Sequence, residues 1–148
     1  MTYLGLDLGT SGVKALLIDE GRKALAEGHA PLEVQRPHPM WSEQDPHSWI
    51  PACEAAIAQV RAAAPVHFAA LRGIAVSGQM HGATLLDAND RPLRPAILWN
   101  DGRAHAECAE LEARADFRGL GGNLVMAGFT APKLRWVQKH EPEVFAQV

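Results

Sequence analysis

Cysteine is scarce: Cys53 and Cys108 are the two in 148 residues. Both fall at apolar positions of helix-like segments with no paired-Cys motif, which favours reduced core thiols over a disulfide or a zinc site. No apolar run is long enough to span a bilayer. The amino terminus enters a strand pattern at once, with no basic region before an apolar stretch and no cleavage motif, so a cytoplasmic protein is expected. Neither sign of charge forms a long run, and the net charge is only −3. Nucleic acid and a membrane are therefore not expected as partners. Internal repeats and low-complexity tracts are missing too. What is present is ordinary: 47% apolar and 21% charged residues, enough for one domain with a real core.

Two nucleotide signatures are also missing. The Gly-rich stretch Leu4–Lys14, Leu-Gly-Leu-Asp-Leu-Gly-Thr-Ser-Gly-Val-Lys, lacks the Gly-Lys-Ser/Thr ending of a P-loop, and no Gly-x-Gly-x-x-Gly opens a helix. An apolar strand instead carries Asp7 into a tight turn, and a second strand, Val13–Ile18, leaves it with Lys14 near its start. Gly9 and Gly12 permit positive φ and close backbone approach, and Thr10 and Ser11 add hydroxyl donors, a combination suited to phosphate. Asp7 beside an anion needs a mediating cation, and Mg²⁺ held by one or two carboxylates plus phosphates is the usual answer. A plain hairpin with Asp7 on the solvent face fits the same residues.

Further along, Lys23–Val34 can return as a third antiparallel strand. Pro37, Pro39 and Pro46 keep most of 36–46 irregular, with Trp41 expected to pin that loop to the core. Asp45-Pro46 reads as a helix cap and first turn, and Trp49, Cys53, Ala56, Ile57, Val60 and Ala64 repeat at helical spacing up to Pro65. Leu71–Ser77 is a strand, Ala83–Asp87 a resumed apolar strand, and the residues from Pro95 a third. Arg103–Arg114 reads as a helix with Ala104, Cys108, Leu111 and Ala115 on one stripe, interrupted at Gly119–Gly122. Thr130 caps a further helix with Leu134 and Val137 on its inner face. The chain reaches Val148 in what still reads as a helix, which suggests a cut end. Strands followed by helices interleaved with strands predict a mixed α/β sheet.

Two polar loops follow strands. Gln79-Met80-His81 lies between Gly78 and Gly82, which suits a polyhydroxylated small molecule; a loop histidine with Met80 as core filler is the plainer alternative. Trp99-Asn-Asp-Gly-Arg103 combines a ring, an amide, a carboxylate and a guanidinium, as sites for hydroxyl-rich ligands do. Alternatively Asp101 caps the next helix and Arg103 pairs on the surface. Lys14 suits either a terminal phosphate or a solvated strand edge. Glu43 and Asp45 lack a second carboxylate at productive spacing.

In order along the chain, Gly5–Lys14, Gly78–Thr84 and Ile97–Arg103 resemble the motifs of the FGGY carbohydrate kinases. The likeness continues through 36–46 and 122–133. It implies an actin/hexokinase-like ATPase fold, ribonuclease H-like, of two domains around a cleft, with residues 1–148 forming the amino-terminal part of the first domain and the second domain lying outside this chain. It implies Asp7 near Mg²⁺ and the phosphates, as catalytic and metal residue, with Thr10, Ser11 and Lys14 on the nucleotide side. Met80 and His81 match sugar-contacting positions, and Asp101 a further sugar-side residue. The implied reaction moves the γ-phosphoryl group of ATP to the 5-hydroxyl of D-xylulose, with the general base outside this chain; a related ketose or polyol is the alternative substrate. A homodimer is compatible with the complete protein. Taken alone, 148 residues with half a cleft are expected to be inactive, a truncated sugar-binding module at most.

Overall fold

The computed structural model describes residues 1–148. Strands β1 (Thr2–Leu8), β2 (Gly12–Asp19) and β3 (Ala24–Pro31) come first, then β4 (Glu43–Gln44) and the helices α1 (Trp49–Ala63) and α2 (Pro65–Ala69). They are followed by β5 (Leu71–Gly78), β6 (Ala96–Ile97), α3 (His105–Glu112), α4 (Phe117–Gly121), α5 (Thr130–His140) and α6 (Pro142–Phe145). The chain forms two compact units, one of residues 1–33 and 47–79, the other of 34–46 and 80–148.

In the first unit a four-stranded sheet runs in the order β3-β2-β1-β5, with β5 parallel to β1 and the other pairs antiparallel. Period-two alternation decides which side chains face inward. Leu4, Leu6, Val13, Ala15 and Leu17 are buried, while Asp7, Lys14 and Leu16 point the other way. Helix α1 covers this inner face with Ala52, Ala56 and Val60. It sits so close to β3 that a Cβ on Gly28 would lie 2.1 Å from the Ala56 carbonyl oxygen, so only glycine fits there. Because α1 packs over β2 and β3, β5 is left uncovered, and Ile74 and Val76 are 57% and 71% exposed.

The second unit has a two-stranded sheet, β4 antiparallel to β6 with Glu43 opposite Ile97 and Gln44 opposite Ala96. A smaller core of Ala83, Leu85, Ile97 and Val137 binds it to α5.

Several expectations shift. The third strand is shorter than Lys23–Val34, ending at Pro31. The expected strand over Ala83–Asp87 is reduced to isolated bridges, Ala83 with Ile97 and Leu86 with Pro92, since a proline partner cannot continue the ladder. Pro46–Ser48 forms a 3₁₀ turn, so Ser48 rather than Asp45 precedes α1. Phe129 takes the cap position of α5, with Thr130 its first residue. On α5 the buried residues are Pro132, Lys133 and Val137, and Leu134 is exposed. On α3 the buried residue is Glu107. Gly9 and Gly12 do not have positive φ. Gly12 is required instead by close approach, since a Cβ there would lie 2.6 Å from the Ala30 carbonyl oxygen.

Candidate functional site

The two sets of candidate residues fall in different compact units, each with its own geometry. In the first unit Asp7 stands on the outward face of β1 between β2 and β5, with Lys14 and Ser77 as its cross-strand neighbours in register. The Ser77 hydroxyl donates to Asp7 Oδ1 at 2.6 Å. This bond fixes the carboxylate without using all of its lone pairs. Sequence reasoning missed Ser77, which comes opposite Asp7 only through the parallel pairing of β1 with β5, a pairing no local pattern signals.

The β1–β2 turn is closed by the Gly9 N–H donating to the Gly12 carbonyl at 3.0 Å, leaving Thr10 and Ser11 at its tip. The Thr10 hydroxyl donates to Gln79 Oε1 at 3.2 Å, and Gln79 Nε2 donates to the Gly9 carbonyl at 3.4 Å. Asp7, Thr10, Ser11 and Lys14 are thus brought to one end of one hairpin.

No group of three or more His, Cys, Asp or Glu side chains is placed to hold a metal ion. A site built wholly from protein ligands is therefore not offered. A single carboxylate on an open strand face does fit Mg²⁺, which keeps its waters and takes one or two carboxylates together with phosphate oxygens.

In the second unit Met80 and His81 are exposed. His81 has φ of 63°, a left-handed conformation that a non-glycine residue holds only when its surroundings fix it. Its ring lies 4.5 Å from that of Phe129, tilted by 31°, and its carbonyl accepts from Lys133 Nζ at 2.7 Å. An apolar cavity of about 250 Å³ adjoins it, walled by Phe117, Leu124, Val125, Phe129 and Pro132. Burial pushes the Lys133 ammonium down to about 8; the nearby Asp101 charge opposes that shift and Arg103 adds to it.

Asp101 is 2% exposed, and both of its oxygens are engaged. Oδ2 accepts from the Ser42 N–H at 2.6 Å and from Arg103 NH2 at 2.7 Å; Oδ1 accepts from the Arg103 backbone N–H and Nε, each at 2.9 Å. Arg103 is buried rather than paired on the surface. Its guanidinium lies 3.6 Å from the centre of the Trp41 ring and 5.0 Å from that of Trp136, and its NH1 pairs with Glu43 at 2.7 Å. Glu43 also accepts from Arg94 at 2.6 Å, and Arg94 pairs with Glu141 at 2.7 Å. Trp41 does pin its loop, against Trp136 and Arg103. Trp99 keeps 51% of its surface exposed. The loop Trp99–Arg103 is thus held by a buried ionic network, with Asp101 at its base.

The model of the FGGY family of carbohydrate kinases, N-terminal domain, matches residues 2–148. A xylulose kinase of Escherichia coli (strain K12) is 54% identical over 148 residues, covering 99% of this chain and 30% of that protein. The crystal structure of a "xyloylose kinase" from Brucella ovis superposes with a TM-score of 0.96 at 61% identity, covering 100% of this chain and 31% of the other. Xylulose kinase from Rhodospirillum rubrum gives a TM-score of 0.92 at 34% identity, with 100% and 31% covered. The chain spans about 30% of the length of these relatives. Its mixed sheet with flanking helices is part of the actin-like ATPase fold those kinases carry. By sequence and by fold together, this chain belongs to the FGGY family of carbohydrate kinases.

Proposed function

We propose that these residues are the amino-terminal part of a xylulokinase, supplying its first phosphate loop and its sugar-side loop. The reaction is transfer of the γ-phosphoryl group of Mg-ATP to the 5-hydroxyl of D-xylulose. The observation that carries the proposal is the whole-chain likeness to proteins named xylulose kinase, which takes in Leu4–Lys14 and Gly78–Gly82 alike.

Asp7 is the metal-side carboxylate, held in its rotamer by Ser77. Mg²⁺, when bound, would neutralise phosphate charge and orient the transferring group. Thr10 and Ser11 supply hydroxyl donors at the turn, and Lys14 supplies a cation one strand away. Met80 and His81 contact the sugar. Asp101 serves that side by holding its loop, since its oxygens are already engaged. Neither Asp7 nor Asp101 is available as the base that accepts the sugar proton. The 148 residues alone are therefore expected not to turn over, because phosphoryl transfer needs both substrates aligned in a closed site.

The test is a coupled assay of the protein as its gene encodes it, with Mg-ATP and a panel of D-xylulose, related ketoses and polyols. The highest kcat/KM is expected for D-xylulose. A higher value for another sugar would move the substrate within the family, and no phosphorylation of any of them would sink the kinase assignment.

A further inference from the structure

Lys133 is the largest fully buried side chain of the molecule, at 0% exposure. It lies on the inner face of α5, where the amphipathic pattern calls for an apolar residue. An ammonium in such a place must find acceptors. It finds two main-chain carbonyls, those of His81 and Gly128, each at 2.7 Å. Gly128 is itself fixed by crowding, since a Cβ there would lie 2.8 Å from the Trp99 carbonyl oxygen. Phe129, the next residue, is the one whose ring meets His81. One buried cation therefore ties three things: the left-handed backbone of His81, the segment carrying its ring partner, and the first turns of α5.

We infer that Lys133 is a positioning residue for the sugar site, holding the His81 loop in its binding conformation through the His81 and Gly128 carbonyls without touching the sugar. The inference rests on His81 as a sugar-contacting residue. Hydrogen bonds from a charged donor are short and strong, and a loop held in a sparsely populated conformation relaxes when its anchor is removed. Lys133→Met keeps the length and apolar stem of the side chain and removes the donor together with its charge. The sugar affinity then falls while the nucleotide, whose candidate residues lie on the β1–β2 hairpin, is unaffected.

The experiment compares wild type, Lys133→Met and His81→Ala in the protein as its gene encodes it, with near-ultraviolet circular dichroism to verify folding. Lys133→Met should raise the xylulose KM roughly tenfold, as loss of an orienting contact does, with the ATP KM within about twofold. In its NMR spectrum the ring resonances of His81 should lose the upfield shift caused by Phe129. An unchanged xylulose KM in folded Lys133→Met, beside a raised KM in His81→Ala, would overturn the role of Lys133 alone. An unchanged KM in His81→Ala would instead overturn the sugar contact on which it rests. Should Lys133→Met not fold, the wild type carries the test by itself. The Lys133 Nζ resonance should shift together with the His81 signals as xylulose is added, and an Nζ resonance that stays fixed while His81 moves would refute the coupling.

Discussion

Gln59 takes up both polar groups of the His29 main chain: its Oε1 accepts from the His29 N–H at 3.1 Å and its Nε2 donates to the His29 carbonyl at 2.8 Å. A side-chain amide on α1 thus plays the part of a neighbouring strand at the free edge of β3. Natural sheets need such protection, because an edge with unpaired groups recruits other chains. Gln59→Ala is expected to cost about 1 kcal/mol, the net worth of a hydrogen-bonded pair at a partly wet site, and to raise the tendency to aggregate. Urea titration with light scattering during refolding measures both, and a variant as stable and as soluble as wild type would show the amide to be ornamental.

Arg103 neutralises two buried carboxylates at once, Asp101 and Glu43. Arg103→Met leaves both charges buried with too few partners, a change expected to cost about 3–5 kcal/mol. Arg103→Lys should recover only part of this, because a point charge cannot reproduce the fork that meets Asp101 or stack on Trp41. Thermal melts of the three proteins give the order wild type, Lys, Met; equal midpoints for Lys and wild type would show that charge alone suffices.

Hydrogen bonding from Arg135, and next from Lys139, holds the Glu110 carboxyl down to about 2. Its folded value lies below its unfolded one, so its contribution to stability is complete above the ordinary carboxylate range and is lost as pH falls from there towards 2. The difference in denaturation midpoint between wild type and Glu110→Gln should therefore shrink steadily between about pH 5 and pH 2. A difference that is constant over that interval would mean that the Arg135 and Lys139 contacts are not held in solution.

Asp7 faces outward and supports no core packing. In the protein as its gene encodes it, Asp7→Ala is expected to change stability by no more than about 0.5 kcal/mol while lowering turnover in the coupled assay roughly a hundredfold or more. Ser77→Ala, which frees the carboxylate without removing it, should be milder at roughly tenfold. Full activity in Asp7→Ala would remove it from the phosphate side.

The β1–β2 hairpin could be read from the sequence because two apolar runs flank a short Gly/Thr/Ser turn, and such runs on either side of a turn signal mark a hairpin. The resumed strand over Ala83–Asp87 was likewise read as an apolar run and failed, because pairing depends on a partner, and its partner segment contains Pro92 and Pro95. The buried face of α5 was set wrongly for another reason. Periodicity counts Lys as polar, and only the carbonyls of His81 and Gly128, distant in sequence or across a turn, make Lys133 an interior residue. Glu43 is similar: the guanidinium groups that neutralise it come from Arg94 and Arg103, far along the chain. The candidate site residues stand in local motifs, whereas the residues that contact and hold them do not, since those contacts leave no local pattern.

The tryptophans have an optical consequence. Of the four in the chain, Trp49 packs on the core of the first unit, and Trp41, Trp99 and Trp136 belong to the second. The rings of Trp41 and Trp136 are 5.2 Å apart and nearly perpendicular, at 86°, close enough for their transitions to couple. The far-ultraviolet dichroism of the protein should then carry a signed couplet from this pair in the second unit, while half-exposed Trp99 gives the fluorescence most open to an aqueous quencher. Loss of that couplet on heating therefore reports the loss of packing around Trp41 and Trp136.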